Sequence, residues 1–169
     1  MPIIYHEQAK EFHLFNDEVS YIIGIMENGQ MENLYYGKAL RDREDFSHFH
    51  EETMRSQMSV CVPEPGLLSM HYTRQEYPVY GTGDYKSPAL CIRQEDGSRI
   101  TNFVYKDYKI LKGKPSLAPL PATYVEDDGE GDTLEITLHD DKINTDMVLS
   151  YTIYKDYPVI TRNTRFLHK

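Results

Sequence analysis

Wherever a pattern of apolar and polar positions is clear along the chain, it alternates at a period of two, and a helical period is weak everywhere. In residues 11–16, Phe12 and Leu14 alternate with polar neighbours, which predicts a short strand. Residues 19–26 run Val-Ser-Tyr-Ile-Ile-Gly-Ile-Met, apolar on both faces, and predict a central strand covered on both sides. Asn28-Gly29 then signals a turn, and residues 31–36 return as the partner strand of a hairpin.

The second half follows the same logic. Residues 89–94 are expected to lead through the turn Glu95-Asp96-Gly97-Ser98 into a strand over 99–111. In residues 133–138, Leu134, Ile136 and Leu138 share one face, opposite Glu135 and Thr137. Residues 146–154 and 159–166 continue as long strands, separated by Lys155-Asp156-Tyr157-Pro158. Successive strands with so little helix between them predict an all-β antiparallel sandwich. The 169 residues suffice for one domain with a core, over 1–169, and are too few to argue for two. The single helical candidate is residues 45–58, where Phe46, Phe49 and Thr53 fall roughly on one side without a capping box. Residues 62–66 (Val-Pro-Glu-Pro-Gly) exclude a central strand, and 112–121 read as a proline-stiffened crossover.

Composition sharpens this picture. Tyrosine occurs 14 times and tryptophan not at all, which suits half-buried strand positions where a ring packs and its hydroxyl stays wet. A formal net charge of -9 with scattered Lys and Arg argues against nucleic acid and anionic membranes as partners. Cys61 and Cys91 have no CxxC spacing and read as reduced, partly buried thiols. Residues 1–7 lack a basic region followed by an apolar run, and no apolar stretch reaches the length of a membrane span, so a soluble, cytoplasmic protein is expected.

Candidate chemistry is sparse. His48 and His50 flank Phe49, and in a strand both rings would share a face and could share a metal, but no third ligand stands at a diagnostic spacing. The plainer reading is a polar surface loop anchored by Phe46 and Phe49. The acidic run 126–132 does not match a calcium loop and reads as a solvated turn. No Gly-x-Ser-x-Gly elbow or phosphate loop is present, and no metal or cofactor is expected. A retaining glycosidase needs two carboxyl groups about 5 Å apart, and nothing in the local context of the 27 acidic residues marks such a pair.

Four ordered blocks carry a resemblance that covers most of the chain. They are Tyr35-Tyr36-Gly37-Lys38; Gln75-Glu76-Tyr77-Pro78-Val79-Tyr80-Gly81-Thr82-Gly83-Asp84-Tyr85-Lys86-Ser87-Pro88-Ala89; Gly113-Lys114-Pro115 with Leu120-Pro121-Ala122-Thr123-Tyr124-Val125-Glu126; and Thr133-Leu134-Glu135-Ile136 with Leu149 through Arg162. Together they resemble the N-terminal β domain of family 36 α-galactosidases. The resemblance implies a galactose-mutarotase-like β super-sandwich, present here in part, that precedes a (β/α)8 catalytic barrel and a small C-terminal β domain. It implies a parent enzyme that removes terminal α-galactose with retention, using a nucleophilic Asp in a Lys-Trp-Asp motif on the barrel. The chain contains no Trp, so that motif is absent and no activity of residues 1–169 alone is expected. The family's sandwich is longer than this chain, so the ending is expected midway through the sheets, leaving strand edges and an apolar face for an oligomer to cover.

The resemblance also implies partners: the barrel of the parent enzyme, a homo-oligomer, and α-galactoside sugars. In tetrameric relatives, a loop after the aromatic-Gly-Lys turn lends an Asp to a neighbour's sugar site. The corresponding stretch here is residues 45–59, where Glu51, Glu52, Thr53 and Arg55 stand near the expected place and none is Asp. Glu51 or Glu52 would substitute if the register slips; otherwise these are surface charges on a loop. Tyr80, Asp84 and Tyr85 could form a sugar-facing set; alternatively Gly81 and Gly83 fix a tight connection and Asp84 bonds backbone amides. Two rival functions remain open: a stand-alone carbohydrate-binding module, against which the lack of Trp counts, and a small enzyme with an unrecognised carboxylate pair.

Overall fold

The computed structural model describes residues 3–50, 70, 73–81 and 87–169. Its strands are β1 (Ile3–His6), β2 (Glu11–Phe15), β3 (Val19–Ile25), β4 (Met31–Lys38), β5 (Val104–Lys112), β6 (Gly131–Asp140), β7 (Thr145–Tyr154) and β8 (Ile160–His168). They form two antiparallel four-stranded sheets, β1-β2-β3-β4 and β5-β6-β7-β8, each a sequential meander. The all-β antiparallel architecture is therefore as the alternation predicts. Helix among the described residues is limited to a 3₁₀ turn, Ser47–Phe49, so none is long and apolar enough to cross a membrane.

Register explains why the two sheets pack. Phe12 lies opposite Ile23 and Leu14 opposite Tyr21 in the first sheet; Leu134 faces Tyr151, Ile136 faces Leu149 and Leu138 faces Met147 in the second. These cross-strand pairs point inward and merge into one buried cluster with Ile3, Met31 and Ile153. Each such side chain contributes about 1.5–3 kcal/mol by leaving water. β3 is covered on its other face too, where Ile22 packs with Leu34 and Phe46. The continuous apolar run over residues 19–26 has this cause: one set of side chains faces the second sheet, the other faces the segment after β4.

The hairpin turn also ties the sheets together. Asn28 Oδ1 accepts the Gln30 N–H at 3.0 Å, and the Gly29 carbonyl accepts the Tyr105 N–H, at the start of β5, at 2.7 Å. Gly29 has φ +79, and a Cβ there would stand 3.0 Å from Val104 Cβ, so the turn needs glycine twice over.

Several expectations are corrected. Residues 89–94 form no strand; Leu90 makes one isolated parallel bridge to Val79, and a proline ahead of each partner, Pro78 and Pro88, withholds an amide donor. The turn over 95–98 does form, with Gln94 N–H bonded to the Ser98 carbonyl at 2.9 Å, but regular pairing starts only at Val104. β1 is a further strand, too short for its alternation to register in the sequence. The helix expected over 45–58 is replaced, as far as residue 50, by the 3₁₀ turn and an extended His50 (φ -67, ψ 128); residues 51–58 lie outside the described residues. Cys91 is exposed, not partly buried, because it sits on the irregular segment where strand pairing has failed. Cys61 and residues 62–66 lie outside the described residues.

Candidate functional site

Residues 73–81, which follow the first sheet in the chain, are tied closely to it. Asn33 N–H donates to the Arg74 carbonyl at 2.7 Å and Glu76 N–H to the Met31 carbonyl at 2.9 Å, so residues 74–76 pair along β4. The Glu76 side chain then enters the interior and is 1% exposed. Its Oε2 accepts from Tyr21 Oη at 2.7 Å and from Asn33 Nδ2 at 3.2 Å; its Oε1 accepts from Tyr151 Oη at 2.9 Å and meets Arg162 Nη2 at 3.1 Å. Arg162 also donates to the Glu76 carbonyl at 3.2 Å and lies over the Tyr151 ring at 5.5 Å. Burial, reinforced by the Glu76 charge, pushes the Tyr21 and Tyr151 hydroxyls well above the ordinary tyrosine range.

Both oxygens of this carboxylate are thus taken up by donors from β3, β4, β7 and β8, and solvent does not reach it. A group held in this way does not act as nucleophile or proton shuttle toward a sugar. It is an ionic tie that fixes the loop to both sheets.

Beyond the tie, the loop presents Tyr80. Its N–H donates to the Leu90 carbonyl at 3.2 Å, and its own carbonyl accepts from Thr101 N–H at 3.2 Å and Thr101 Oγ1 at 3.4 Å. Gly81 follows with φ +102, and a Cβ there would lie 2.8 Å from Ile100 Cα, so the chain must turn at a glycine. Tyr80 is 46% exposed above this hydrogen-bonded backbone. Of the sequence-predicted site residues, Glu51, Glu52, Arg55 and Asp84 lie outside the described residues, as do Thr53, Gly83 and Tyr85. Tyr80 is the one the structure places, on the surface.

His48 and His50 do not share a face. His48 packs against Phe49, ring centroids 4.2 Å apart, while His50 Nδ1 pairs with Glu32 Oε2 at 2.6 Å. Phe46 and Phe49 anchor this stretch on Ile22 and Leu34, as expected for a surface loop. The acidic run is largely a turn, but Asp132 lies in β6, is 4% exposed in its side chain, and pairs with Lys112 Nζ at 2.9 Å. Sequence reasoning missed Glu76 and Arg162 as partners. The signal was an acid inside a Tyr- and Pro-rich run and an Arg amid a strand, neither of which reveals a contact across 86 residues. Over the outer face of the second sheet, the 114–120 crossover roofs a groove of about 320 Å³ lined by Glu135, Ser150, Asn163 and Arg165.

The described residues form a two-sheet antiparallel sandwich whose interior carries an ion-paired loop. The chain belongs to the glycosyl hydrolase family 36 N-terminal domain family, whose model matches residues 29–169. It is 40% identical over 169 residues to α-galactosidase AgaA of Geobacillus stearothermophilus, covering 100% of this chain and 23% of that protein. The crystal structure of the GH36 α-galactosidase AgaB from the same organism superposes with a TM-score of 0.91 at 40% identity, over 100% of this chain and 23% of that one. The α-galactosidase from Lactobacillus brevis superposes with a TM-score of 0.91 at 31% identity, over 96% and 22%. The chain thus spans about a quarter of the length of the relatives it matches.

Proposed function

We propose that this chain is the non-catalytic N-terminal domain of an α-galactosidase, supporting a catalytic barrel and contributing to oligomer assembly. The observation that carries this reading is the match of the whole chain, at 40% identity and a TM-score of 0.91, to only 23% of a full-length α-galactosidase. The buried Glu76 tie supports it, since this carboxylate is committed to holding the two sheets together. Retaining hydrolysis of terminal α-galactosides belongs, on this reading, to the barrel. Tyr80, standing exposed on a hydrogen-bonded backbone, is the described residue suited to reach a neighbouring active site, with Glu51, Glu52, Arg55 and Asp84 as further candidates. The chain's single domain would function in the cytoplasm.

The test is calorimetric titration of this chain with a separately produced barrel and C-terminal portion of a family 36 α-galactosidase. Saturable binding supports the reading; no association between two folded proteins contradicts it. A second reading, a stand-alone carbohydrate-binding module, is favoured only by the groove beside Glu135 and Arg165. Millimolar or tighter saturation by melibiose or raffinose in the absence of any barrel would support that module instead.

A further inference from the structure

On the outer face of the first sheet, away from Glu76, two histidines and an aspartate converge. His6 ends β1, His13 lies in β2, and Asp42 belongs to the irregular segment after β4. Asp42 Oδ1 stands 2.7 Å from His13 Nδ1 and 3.1 Å from His6 Nε2, and one ligand atom from each residue lies within 4.8 Å of the others. Two imidazoles therefore aim at a single carboxylate oxygen.

The His13 ring is fully buried and held on every side. It stacks on Phe15 with centroids 4.5 Å apart, meets Phe46 edge-on at 5.0 Å, and places Nε2 3.0 Å from Ser20 Oγ. Ser20 Oγ in turn accepts the Leu40 N–H at 2.9 Å. An outer partner of this kind fixes a ring's orientation and leaves its other nitrogen as the atom presented.

We propose that His6 Nε2, His13 Nδ1 and the Asp42 carboxylate bind a divalent transition cation, Zn²⁺ foremost, with a fourth position open to solvent beside Asp42. Two imidazoles and a carboxylate are the nitrogen and oxygen donors that Zn²⁺ takes. Ligand atoms around a tetrahedral zinc lie roughly 3.3 Å apart. The Asp42–His6 separation of 3.1 Å already approaches that, and Asp42, with 31% of its side chain exposed, has room to withdraw from His13. The cation takes the place of the ring protons that would otherwise point at Oδ1; each neutral ring keeps its one proton, moved by exchange with solvent to its other nitrogen. With metal on Nδ1, His13 carries its proton on Nε2 and donates it to Ser20, whose hydroxyl has two lone pairs and a rotatable hydrogen. Glu11, the acid two residues from His13, is otherwise committed: its Oε2 accepts the Phe46 N–H at 2.8 Å. The three ligands come from three separate stretches, so the ion would staple the first strand to the segment leading into residues 45–50.

The rival is a cluster held by hydrogen bonds alone, both rings donating to Asp42. Titrating the EDTA-treated chain with Co²⁺ separates the two. The expected result is a single Co²⁺ per chain with the intense visible bands of a tetrahedral site, displaced by Zn²⁺. His6→Gln and Asp42→Asn, with unchanged circular dichroism, should each weaken uptake by more than about tenfold, the loss that even outer-shell changes can cause. Should a variant fail to fold, ring nitrogen shifts of His13 in the wild-type chain on adding Zn²⁺ decide between the ion and the hydrogen-bonded cluster. A folded wild-type chain without stoichiometric uptake or His13 shifts, or uptake unchanged in either folded variant, would overturn the proposal.

Discussion

The Tyr151 hydroxyl, from a central strand of the second sheet, donates at 2.9 Å to Glu76, a residue paired along the edge of the first. With Tyr21 donating to the other oxygen at 2.7 Å, one carboxylate is shared between the facing sheets. An apolar interface between two sheets is tolerant of small slides, whereas a buried carboxylate with four donors is not. This tie sets where the Tyr80 loop stands relative to the core.

Removing the carboxylate strands its donors. Glu76→Ala leaves two buried tyrosine hydroxyls and an Arg162 guanidinium without their partner, and should cost about 3–5 kcal/mol in urea unfolding. Tyr151→Phe removes one donor while Arg162 still serves the same oxygen, and should cost about 1–2 kcal/mol. Equal losses from both substitutions would mean that Glu76 is not the hub.

Alkaline pH should loosen the same tie. Tyr21 and Tyr151 hold their protons in the folded state at pH values where an unfolded tyrosine, near pKa 10, releases them. Their contribution is fully present below about pH 10 and is lost as pH rises above it, with a slope of about 1.4 kcal/mol per pH unit for each tyrosine. Tyr105, pushed up to about 12 by burial, adds in the same direction. Stability measured by urea unfolding from pH 9 upward should fall steeply, and less steeply in Tyr151→Phe.

Two turn glycines should differ in what alanine costs. At Gly81, φ is +102 and the new Cβ would meet Ile100 Cα at 2.8 Å, so backbone must shift. At Gly97, φ is +85 but no atom lies within 4 Å of the added Cβ. Gly97→Ala should therefore cost only the left-handed conformation, about 1–2 kcal/mol, and Gly81→Ala more, with altered Tyr80 fluorescence as the local sign. Matching losses from thermal unfolding would deny the close approach at Ile100.

Legibility in the sequence followed the range of the forces involved. The alternation of Leu134, Ile136 and Leu138 and the two-faced run over residues 19–26 reveal strands, because side-chain direction is local and periodic. Residues 89–103 carry strand-like composition yet form no strand, because Pro78, Pro88 and Gly81 set the local path and hydrogen bonding to Pro78 and Tyr80 overrides propensity. Glu76, Arg162, His13 and Asp42 acquire their roles only from contacts between distant segments, which no spacing rule records. The family blocks located the loop bearing Tyr80 without revealing the backbone hydrogen bonds to Leu90 and Thr101 that hold Tyr80 in place.

Hydrolysis of a chromogenic α-galactoside decides whether this domain supports chemistry that resides outside it. The purified chain is assayed alone and mixed with a separately expressed barrel portion of a family 36 α-galactosidase. The account predicts no turnover by the chain alone and activity in the mixture above that of the barrel portion by itself. Turnover by the chain alone, abolished by a single Asp or Glu substitution within it, would contradict the account.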